Sequence, residues 1–319
     1  MPQSIPPALG GGASGADRRS TLRELLVRPG PLLLPGVFDA MTGVLAERAG
    51  FPVCYLTGAG LANTQMAVPD VGLLSFDTVL TQAFRITSAT SIPLVVDIDT
   101  GFGGPTSVMH VVRALESVGV AGVQLEDQQM PKRCGHFERK QVVPTAEMQA
   151  KVDAATAARS DDNMVIIART DAVAVEGLDA ALQRAKAYLK AGADVLFVEA
   201  PASMDAITRI PEELGEVPLV MNVVQGGKTP ELPASELHAM GYKIILHANL
   251  VMRAMASAGS EALAALQRTG ATPTSGLPFL SWQDRQAIVR LPEFDAIEDE
   301  LALRWGMDTA APASGSASA

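Results

Sequence analysis

The sequence predicts an α/β fold of the (β/α)₈ TIM-type barrel, with extra helices at its C-terminal end. Its 319 residues suit one large α/β barrel. Eight short runs rich in Val, Ile and Leu recur at intervals of roughly thirty residues, as expected for parallel strands buried on both faces and joined by crossover helices. The 48% hydrophobic and 19% charged content provides a core and excludes global disorder. An eight-stranded doubly wound sheet is the alternative with the same pattern.

The strands are predicted, in chain order, at LLLPGVF (32–38), VCYLTG (53–58), PLVVDID (93–99), GVQLED (122–127), MVIIART (164–170), VLFVEA (195–200), PLVMNVV (218–224) and KIILHA (243–248). Residues 250–268 and 281–306 are predicted to be helical, which is more helix than a minimal barrel needs. We expect this surplus to cap the barrel or contact a neighbouring subunit. The small and polar residues of 1–20 and 309–319 predict disordered tails, so 21–308 forms the predicted barrel unit with its helical extension.

The net charge of −10 argues against binding to nucleic acid or to an anionic membrane. An anionic small molecule is still compatible, because a bound metal ion reverses the local field. The chain has neither an apolar run of membrane-spanning length nor a basic, apolar leader, so we expect a cytoplasmic protein. Its two cysteines, Cys54 and Cys134, lie too far apart in sequence for a zinc motif and do not indicate a disulfide framework.

Acidic residues gather where the predicted strands end. They are Asp97, Asp99, Glu126, Asp127, Asp171 and Glu199. In a barrel the C-terminal ends of the strands form the active-site face, and carboxylates beside apolar runs need a cation or hydrogen-bond donors. We therefore predict a site for a hard divalent ion, although each acid taken singly suits a helix cap or a surface loop. Arg169 lies on the same face, where its guanidinium suits a carboxylate ligand or a structural ion pair with Glu199 or Asp171.

The segment KRCGH (132–136) follows the fourth predicted strand. Cys134 has Lys132, Arg139 and Lys140 nearby in sequence, and positive neighbours favour the thiolate, so Cys134 is a candidate proton donor or acceptor. His136 fits a turn residue and a substrate contact equally well. Cys54, inside a strand run, is predicted to be a small buried hydrophobic residue.

Seven sequence blocks resemble, in order, those of the isocitrate lyase/phosphoenolpyruvate mutase superfamily. They are YLTGAG (55–60), VPDVG (68–72), VDIDTGFG (96–103), QLEDQ (124–128), KRCGH, ARTDA (168–172) and FVEAP (197–201). KRCGH is the most specific block, because lyases of this family carry such a loop whereas the phosphonate mutases usually have an Asn-containing one. The resemblance implies a barrel enzyme that uses Mg²⁺, with Mn²⁺ as the alternative ion, and a homotetramer that exchanges a late helix between subunits.

The resemblance also implies roles for particular residues. Asp97 matches the direct Mg²⁺ ligand, and the acids that hold metal-bound waters are matched by Asp70, Asp99 and Glu126. The substrate would be bound by Thr57, Gly58, Ala59, Gly135, His136, Arg169, Glu199 and Asn222. Cys134 would protonate the departing carbanion. Tyr55 matches a tyrosine proposed to take the hydroxyl proton, although simple packing also explains an aromatic residue in a strand.

The implied reaction is a retro-aldol cleavage of a 2-hydroxy di- or tricarboxylate to pyruvate and a smaller carboxylate. NVVQGGKTP (222–230) resembles the corresponding block of 2,3-dimethylmalate lyase-like members, whereas KRCGH and ARTDAVAVEGLDAA (168–181) resemble 2-methylisocitrate lyases. Both substrates therefore remain open. The alternatives on the same barrel are oxaloacetate hydrolysis and carboxyphosphonoenolpyruvate or phosphoenolpyruvate mutase activity. A barrel that only binds ligands is least favoured, because every charged group that the lyase chemistry requires is present.

Overall fold

The computed structural model describes residues 12–133, 140–227, 229–272, 276 and 279–307. Eight parallel strands form a closed barrel in sequence order. They are β1 (Leu32–Val37), β2 (Cys54–Leu56), β3 (Leu94–Asp97), β4 (Gly122–Glu126), β5 (Val165–Thr170), β6 (Val195–Val198), β7 (Leu219–Asn222) and β8 (Ile244–His247). Every strand lies within a predicted run. Because β1 also pairs with β8, the chain forms a barrel and the doubly wound alternative is excluded.

Helices surround the barrel and continue beyond it. They are α1 (Gly15–Val27), α2 (Ala40–Arg48), α3 (Gly58–Met66), α4 (Phe76–Ala89), α5 (Pro105–Ser117), α6 (Thr145–Ala158), α7 (Val173–Glu176), α8 (Leu178–Lys190), α9 (Met204–Leu214), α10 (Ala234–Ala239), α11 (Leu250–Thr269), α12 (Trp282–Ile288) and α13 (Leu291–Trp305). Ser75 and Ser203 cap α4 and α9 by accepting first-turn N–H groups. Helices α11, α12 and α13 confirm the predicted C-terminal helical extension. None of the helices in the described part of the chain has the length and apolarity needed to cross a membrane.

The barrel interior is filled by inward-facing apolar side chains, among them Leu34, Val95, Ile167 and Val220. Side chains alternate along a strand, so the residue two positions further on faces the same interior. At the C-terminal ends of the strands this inward series becomes polar. Its members there are Asp97, Gln124, Glu126, Arg169, Glu199 and Asn222. The alternation thus places a group of polar and charged side chains at one mouth of the barrel.

Helix α1 lies at the opposite end, where Leu22, Leu25 and Leu26 join the interior cluster. The helix begins at Gly15, so the predicted boundary of the tail at residue 20 lies too far along the chain. Arg18 explains the difference, because its Nη2 donates to the carbonyl oxygens of Thr87 and Thr90 at 2.6 and 2.7 Å. Such long-range contacts are not visible in a Gly- and Ala-rich sequence. Residues 1–11 and 309–319 of the predicted tails lie outside the described residues.

Candidate active site

The two carboxylates of Asp97 and Asp99 converge beside Gly58. A Cβ atom added to Gly58 would lie 3.1 Å from Asp97 Oδ2 and 3.2 Å from Asp99 Oδ1. We expected this convergence from strand alternation, but β3 ends at Asp97, and Asp99 follows in the left-handed region at φ 48°. The turn after the strand therefore brings the second carboxylate into place. The missing side chain of Gly58 leaves the space in front of both oxygens open.

Gly58 is also the first residue of α3, whose N-terminus meets this acid pair. Thr57 caps the helix, and its hydroxyl oxygen accepts the N–H of Gly60 at 3.2 Å. The other first-turn N–H groups, including those of Gly58 and Ala59, have no acceptor within the helix, and the helix dipole makes this end positive. An anionic carboxylate suits such a position. The structure thus brings Thr57, Gly58 and Ala59, three of the predicted substrate-binding residues, next to the predicted metal acids. The role of these three residues in binding stays a prediction.

Lys132 links two of the predicted metal acids. Its Nζ donates to Asp70 Oδ1 and lies 2.7 Å from Asp99 Oδ1, in a buried position. Burial lowers the pKa of Lys132, but the charges of Asp99 and Glu126 outweigh this effect and raise that pKa above its usual range. The lysine is therefore a permanent cation among the acids. In the sequence alone, Lys132 is recognisable only as a positive neighbour of Cys134.

The residues at the mouth fit a hydrated divalent ion. Burial raises the pKa of Asp99 to about 7, against the opposing effect of Lys132, and raises that of Glu126 well above its usual value. In the described part of the chain, the buried atoms Glu126 Oε1 and Asn222 Oδ1 have no hydrogen-bond partner. A divalent ion and its waters would supply the positive charge and the donors that these oxygens need.

The donor set also indicates how such an ion would be held. Within the described residues, no three carboxyl, imidazole or thiol groups lie close enough together to ligate one ion directly. Mg²⁺ keeps several waters and takes only one or two carboxylates, so it fits one direct ligand with the other acids holding waters. The geometry is thus compatible with the predicted roles of Asp97, Asp99, Asp70 and Glu126. Those roles stay predictions.

Arg169 faces this cluster from β5. Its Nε and Nη2 donate to Asp171 at 2.9 and 3.1 Å, and Nη1 lies 3.5 Å from Glu126 Oε2. Burial lowers the pKa of Arg169, but the charges of Asp171 and Glu199 dominate and raise it well above its usual value. The structure therefore contains the ion pair with Asp171 that the sequence analysis gave as one alternative. This ion pair uses the Nε and Nη2 edge of the guanidinium, and Nη1 points toward the mouth of the barrel.

Asp171 is itself held by its neighbours. Its Oδ1 accepts Lys140 Nζ at 2.9 Å, and its backbone N–H donates to Asp127 Oδ1 at 2.9 Å. Asp127 also accepts the hydroxyls of Thr170 and Tyr188 at 2.7 and 2.8 Å. Asp127 therefore turns toward α8 and supports β5 instead of facing the mouth. Sequence position alone had grouped it with the other strand-end acids.

Tyr55 is buried and faces the barrel interior. Its hydroxyl donates to Gln124 Oε1 at 2.6 Å, and Gln124 Nε2 donates to Asp97 Oδ1 at 3.4 Å. Burial and the charge of Asp97 raise the pKa of Tyr55 well above its usual value, so its phenol is neutral near pH 7. Its predicted role in taking a proton stays a prediction, and its hydroxyl proton is directed at Gln124. Gln124 was missed by the sequence analysis because a neutral amide gave no signal of its own.

Glu199 and Asn222 lie at the ends of β6 and β7, where Asn222 Nδ2 is 3.4 Å from Glu199 Oε1. The predicted residues Cys134, Gly135 and His136 lie outside the described residues. Of the basic residues near Cys134, Lys132 pairs with Asp70 and Asp99, and Lys140 pairs with Asp171. Both lysine charges are thus engaged by carboxylates. The two lysines therefore support a Cys134 thiolate less than their sequence positions indicate.

Solved structures of other proteins share this arrangement of strands and helices. A structure of 2,3-dimethylmalate lyase gives a TM-score of 0.84 at 31% identity, over 91% of this chain and 96% of that one. An oxaloacetate acetylhydrolase bound to 3,3-difluorooxalacetate gives 0.80 at 31% identity, over 92% and 97%. A phosphonopyruvate hydrolase complex with oxalate and Mg²⁺ gives 0.80 at 31% identity, over 88% and 98%.

Sequence relatives agree with these structures. The chain is 40% identical over 286 residues to 2-methylisocitrate lyase of Shewanella oneidensis, covering 90% of this chain and 97% of the relative. It is 42% identical over 226 residues to 2,3-dimethylmalate lyase of Eubacterium barkeri, covering 71% and 78%. The phosphoenolpyruvate phosphomutase family model matches residues 22–267. The chain therefore belongs to the phosphoenolpyruvate mutase/isocitrate lyase family, as a member of its carbon–carbon lyases.

Proposed function

We propose that this protein is a Mg²⁺-dependent lyase that cleaves a 2-hydroxy di- or tricarboxylate, of the 2,3-dimethylmalate or 2-methylisocitrate type, into pyruvate and a smaller carboxylate. The observation that carries the proposal is the meeting of the Asp97 and Asp99 carboxylates with the N-terminus of α3 around Gly58. This arrangement supports a cation site directly beside a carboxylate site. A 2-oxoacid product needs the cation and the carboxylate site at the same time.

In this proposal Asp97 would hold Mg²⁺ directly, and Asp70, Asp99 and Glu126 would hold its waters. Bound Mg²⁺ would act as a Lewis acid toward the oxygens of the forming 2-oxoacid. The first-turn N–H groups of α3 bind the carboxylate of that fragment.

The other fragment lies toward Arg169, whose Nη1 edge offsets the negative charge that develops as the carbon–carbon bond breaks. Glu199 and Asn222 orient the substrate from the ends of β6 and β7. Cys134 delivers the proton to the carbanion product. The proton of the substrate hydroxyl passes to a carboxylate or a water at the mouth of the barrel, because Tyr55, whose own proton points at Gln124, is poorly prepared to take it.

A cavity beside the mouth provides a means of discriminating between the two substrates. It has a volume of about 550 Å³ and is lined by residues that follow β7 and β8, including His247, Asn249 and Arg253. A guanidinium suits an additional carboxylate. If a tricarboxylate is the substrate, Arg253→Ala will raise its KM at least 10-fold and leave that of 2,3-dimethylmalate nearly unchanged, a contrast that steady-state kinetics on both acids measures.

The direct test is a coupled assay for 2-oxoacid release in the presence of Mg²⁺. Its substrates are 2,3-dimethylmalate, 2-methylisocitrate, isocitrate and oxaloacetate. Pyruvate from one of the first two is the expected result. The similarity to oxaloacetate acetylhydrolase makes hydrolysis the second candidate, and acetate and oxalate formed from oxaloacetate alone would establish it and reject the lyase. The absence of any product from the panel would contradict both.

We also propose that the chain works as a homo-oligomer, with the tetramer as the expected form. No residue of the 20-residue helix α11 is buried, and Leu250 and Leu263 on it are 60% and 69% exposed. Leu303 and Trp305 of α13 are 85% and 74% exposed. Several large apolar side chains exposed along these C-terminal helices indicate a contact surface. Sedimentation velocity measures the assembly, and a monomer at micromolar concentration would contradict the proposal.

A cytoplasmic location is proposed as well. In the described part of the chain, Cys54 is a free, buried thiol, which suits a reducing compartment. Fractionation of the source cells tests this location.

A further inference from the structure

Three buried side chains on the adjacent strands β2, β3 and β4 form a chain of hydrogen bonds inside the barrel. Tyr55 donates to Gln124 at 2.6 Å, and Gln124 donates to Asp97 at 3.4 Å. Gln124 and Asp97 are direct neighbours in the β3–β4 register. The exposed fractions of Tyr55, Gln124 and Asp97 are 3%, 1% and 9%, so water does not compete freely for these contacts.

The direction of this chain follows from the chemistry of its ends. Asp97 Oδ1 already accepts the backbone N–H of Asp99, and a carboxylate that binds a cation only accepts hydrogen bonds, so the amide nitrogen of Gln124 must face Asp97. The amide oxygen then faces Tyr55, and the phenol must donate to it. Neither the amide nor the hydroxyl can reverse without losing a bond in a buried place, which is unfavourable.

The chain acts on one oxygen of Asp97. Oδ1 accepts both Gln124 Nε2 and the backbone N–H of Asp99, the latter at 3.1 Å. Oδ2 is the oxygen that lies toward the space in front of Gly58. The two donors therefore turn the carboxylate so that one oxygen is held by the protein and the other faces the mouth of the barrel.

We propose that Gln124, braced by Tyr55, is a positioning residue that orients the Asp97 carboxylate for the metal ion. This rests on the proposed function, in which Asp97 is the direct ligand. Residues that orient a metal ligand typically contribute 10- to 100-fold to metal affinity. In this arrangement Tyr55 is the fixed end of the hydrogen-bond chain, and its hydroxyl holds the Gln124 amide in place by donating to it.

The experiment measures Mg²⁺ affinity by isothermal titration calorimetry on the full chain, without substrate. Gln124→Met keeps approximately the length of the side chain and removes both hydrogen bonds. We expect it to raise the Mg²⁺ Kd 10- to 100-fold. Tyr55→Phe removes the brace alone and should raise the Kd by a smaller factor. The double variant should resemble Gln124→Met, because both changes act through the same chain.

Tyr242→Phe is the matched control. Tyr242 is a buried tyrosine between α10 and β8, and its hydroxyl donates to the carbonyl oxygen of Ile207 at 2.9 Å. The control removes the same atom and one hydrogen bond away from the mouth of the barrel. It should lower thermal stability and leave the Mg²⁺ Kd unchanged.

A Gln124→Met protein that is less stable but binds Mg²⁺ like the wild type would overturn the proposal, since packing would then be the whole role of the amide. If Gln124→Met does not fold, Tyr55→Phe decides, and an unchanged Kd in that variant overturns the proposal. A loss of 100-fold or more in kcat for Tyr55→Phe at unchanged Kd would instead make Tyr55 a catalytic residue and also reject its bracing role. Asp97→Asn, titrated in parallel, separates these results from failure of the proposed function: if it binds Mg²⁺ like the wild type, the metal assignment itself is wrong.

Discussion

Replacing Asp171 by Asn changes one buried atom and affects both stability and substrate binding. The Asp171 carboxylate accepts three donors, from Arg169 Nε at 2.9 Å, Arg169 Nη2 at 3.1 Å and Lys140 Nζ at 2.9 Å. An amide offers one acceptor oxygen, so its NH₂ group must face a donor. Asp171 is fully buried, and the two cations would lose their compensating charge.

Removing one member of a buried ion pair costs about 3–5 kcal/mol. With an unfolding entropy of about 2.1 cal/mol/K per residue, this corresponds to a fall in Tm of roughly 4–8 °C for a chain of this size. Burial raises the pKa of Asp171, but Arg169 and Lys140 outweigh burial and hold that pKa below its usual value. The stabilisation is therefore present above about pH 4 and is lost as the pH falls through the folded pKa. The stability difference between wild type and variant should shrink below that pH.

Asp171→Asn should also raise KM more than it lowers kcat, because Arg169 keeps its charge but loses the partner that orients it. The assay combines thermal unfolding with steady-state kinetics on the active substrate. Asp194→Asn is the matched control, because Asp194 pairs with Arg23 and Arg159 at 2.8 and 2.9 Å, just before β6 at the other end of the barrel. It should lower Tm without changing KM. An Asp171→Asn enzyme with a lowered Tm and a wild-type KM would refute the orienting role.

Treatment with EDTA should abolish activity and added Mg²⁺ should restore it, and among the metal acids Asp97→Ala should lower kcat/KM most, because a direct ligand has no substitute whereas solvent partly replaces a water-holding acid. Full activity after chelation would contradict the metal assignment. Cys134→Ser should lower kcat by on the order of 10² or more while Mg²⁺ binding persists, whereas Cys54→Ser should change only thermal stability. A kcat near that of the wild type would remove Cys134 from the mechanism. Gly58→Ala adds a Cβ 3.1 Å from Asp97 Oδ2 and should weaken Mg²⁺ binding in a calorimetric titration, and an unchanged Kd would contradict the position given to the cation.

The eight strands and the helices after them could be predicted because their signals are local. A strand buried on both faces must be apolar along its whole length, and this is visible in a few consecutive residues. The start of α1 could not be predicted in this way. Its first turns are stabilised by Arg18 reaching Thr87 and Thr90, about seventy positions away in sequence.

The same distinction holds at the mouth of the barrel. Strand alternation correctly brings Asp97, Glu126 and Arg169 to one face, because every second residue of a strand faces the same side and this can be counted in the sequence. Asp127 follows Glu126 directly and therefore faces the other way, although its position at a strand end had grouped it with the site. The convergence of Asp99 with Asp97 depends instead on a left-handed turn after β3, which no motif of side chains encodes directly.

The sequence by itself therefore determined which residues face the interior and where the acids gather, since hydrophobic runs and alternation act over neighbouring positions. Only the tertiary structure decided which polar groups pair. Lys132 pairs with Asp70 and Asp99, Arg169 pairs with Asp171, and Gln124 lies between Tyr55 and Asp97. Each of these pairs forms only when the two polar atoms lie within a few ångströms of each other. For Lys132 and Gln124 the partners lie in other segments, and closure of the barrel brings those segments together.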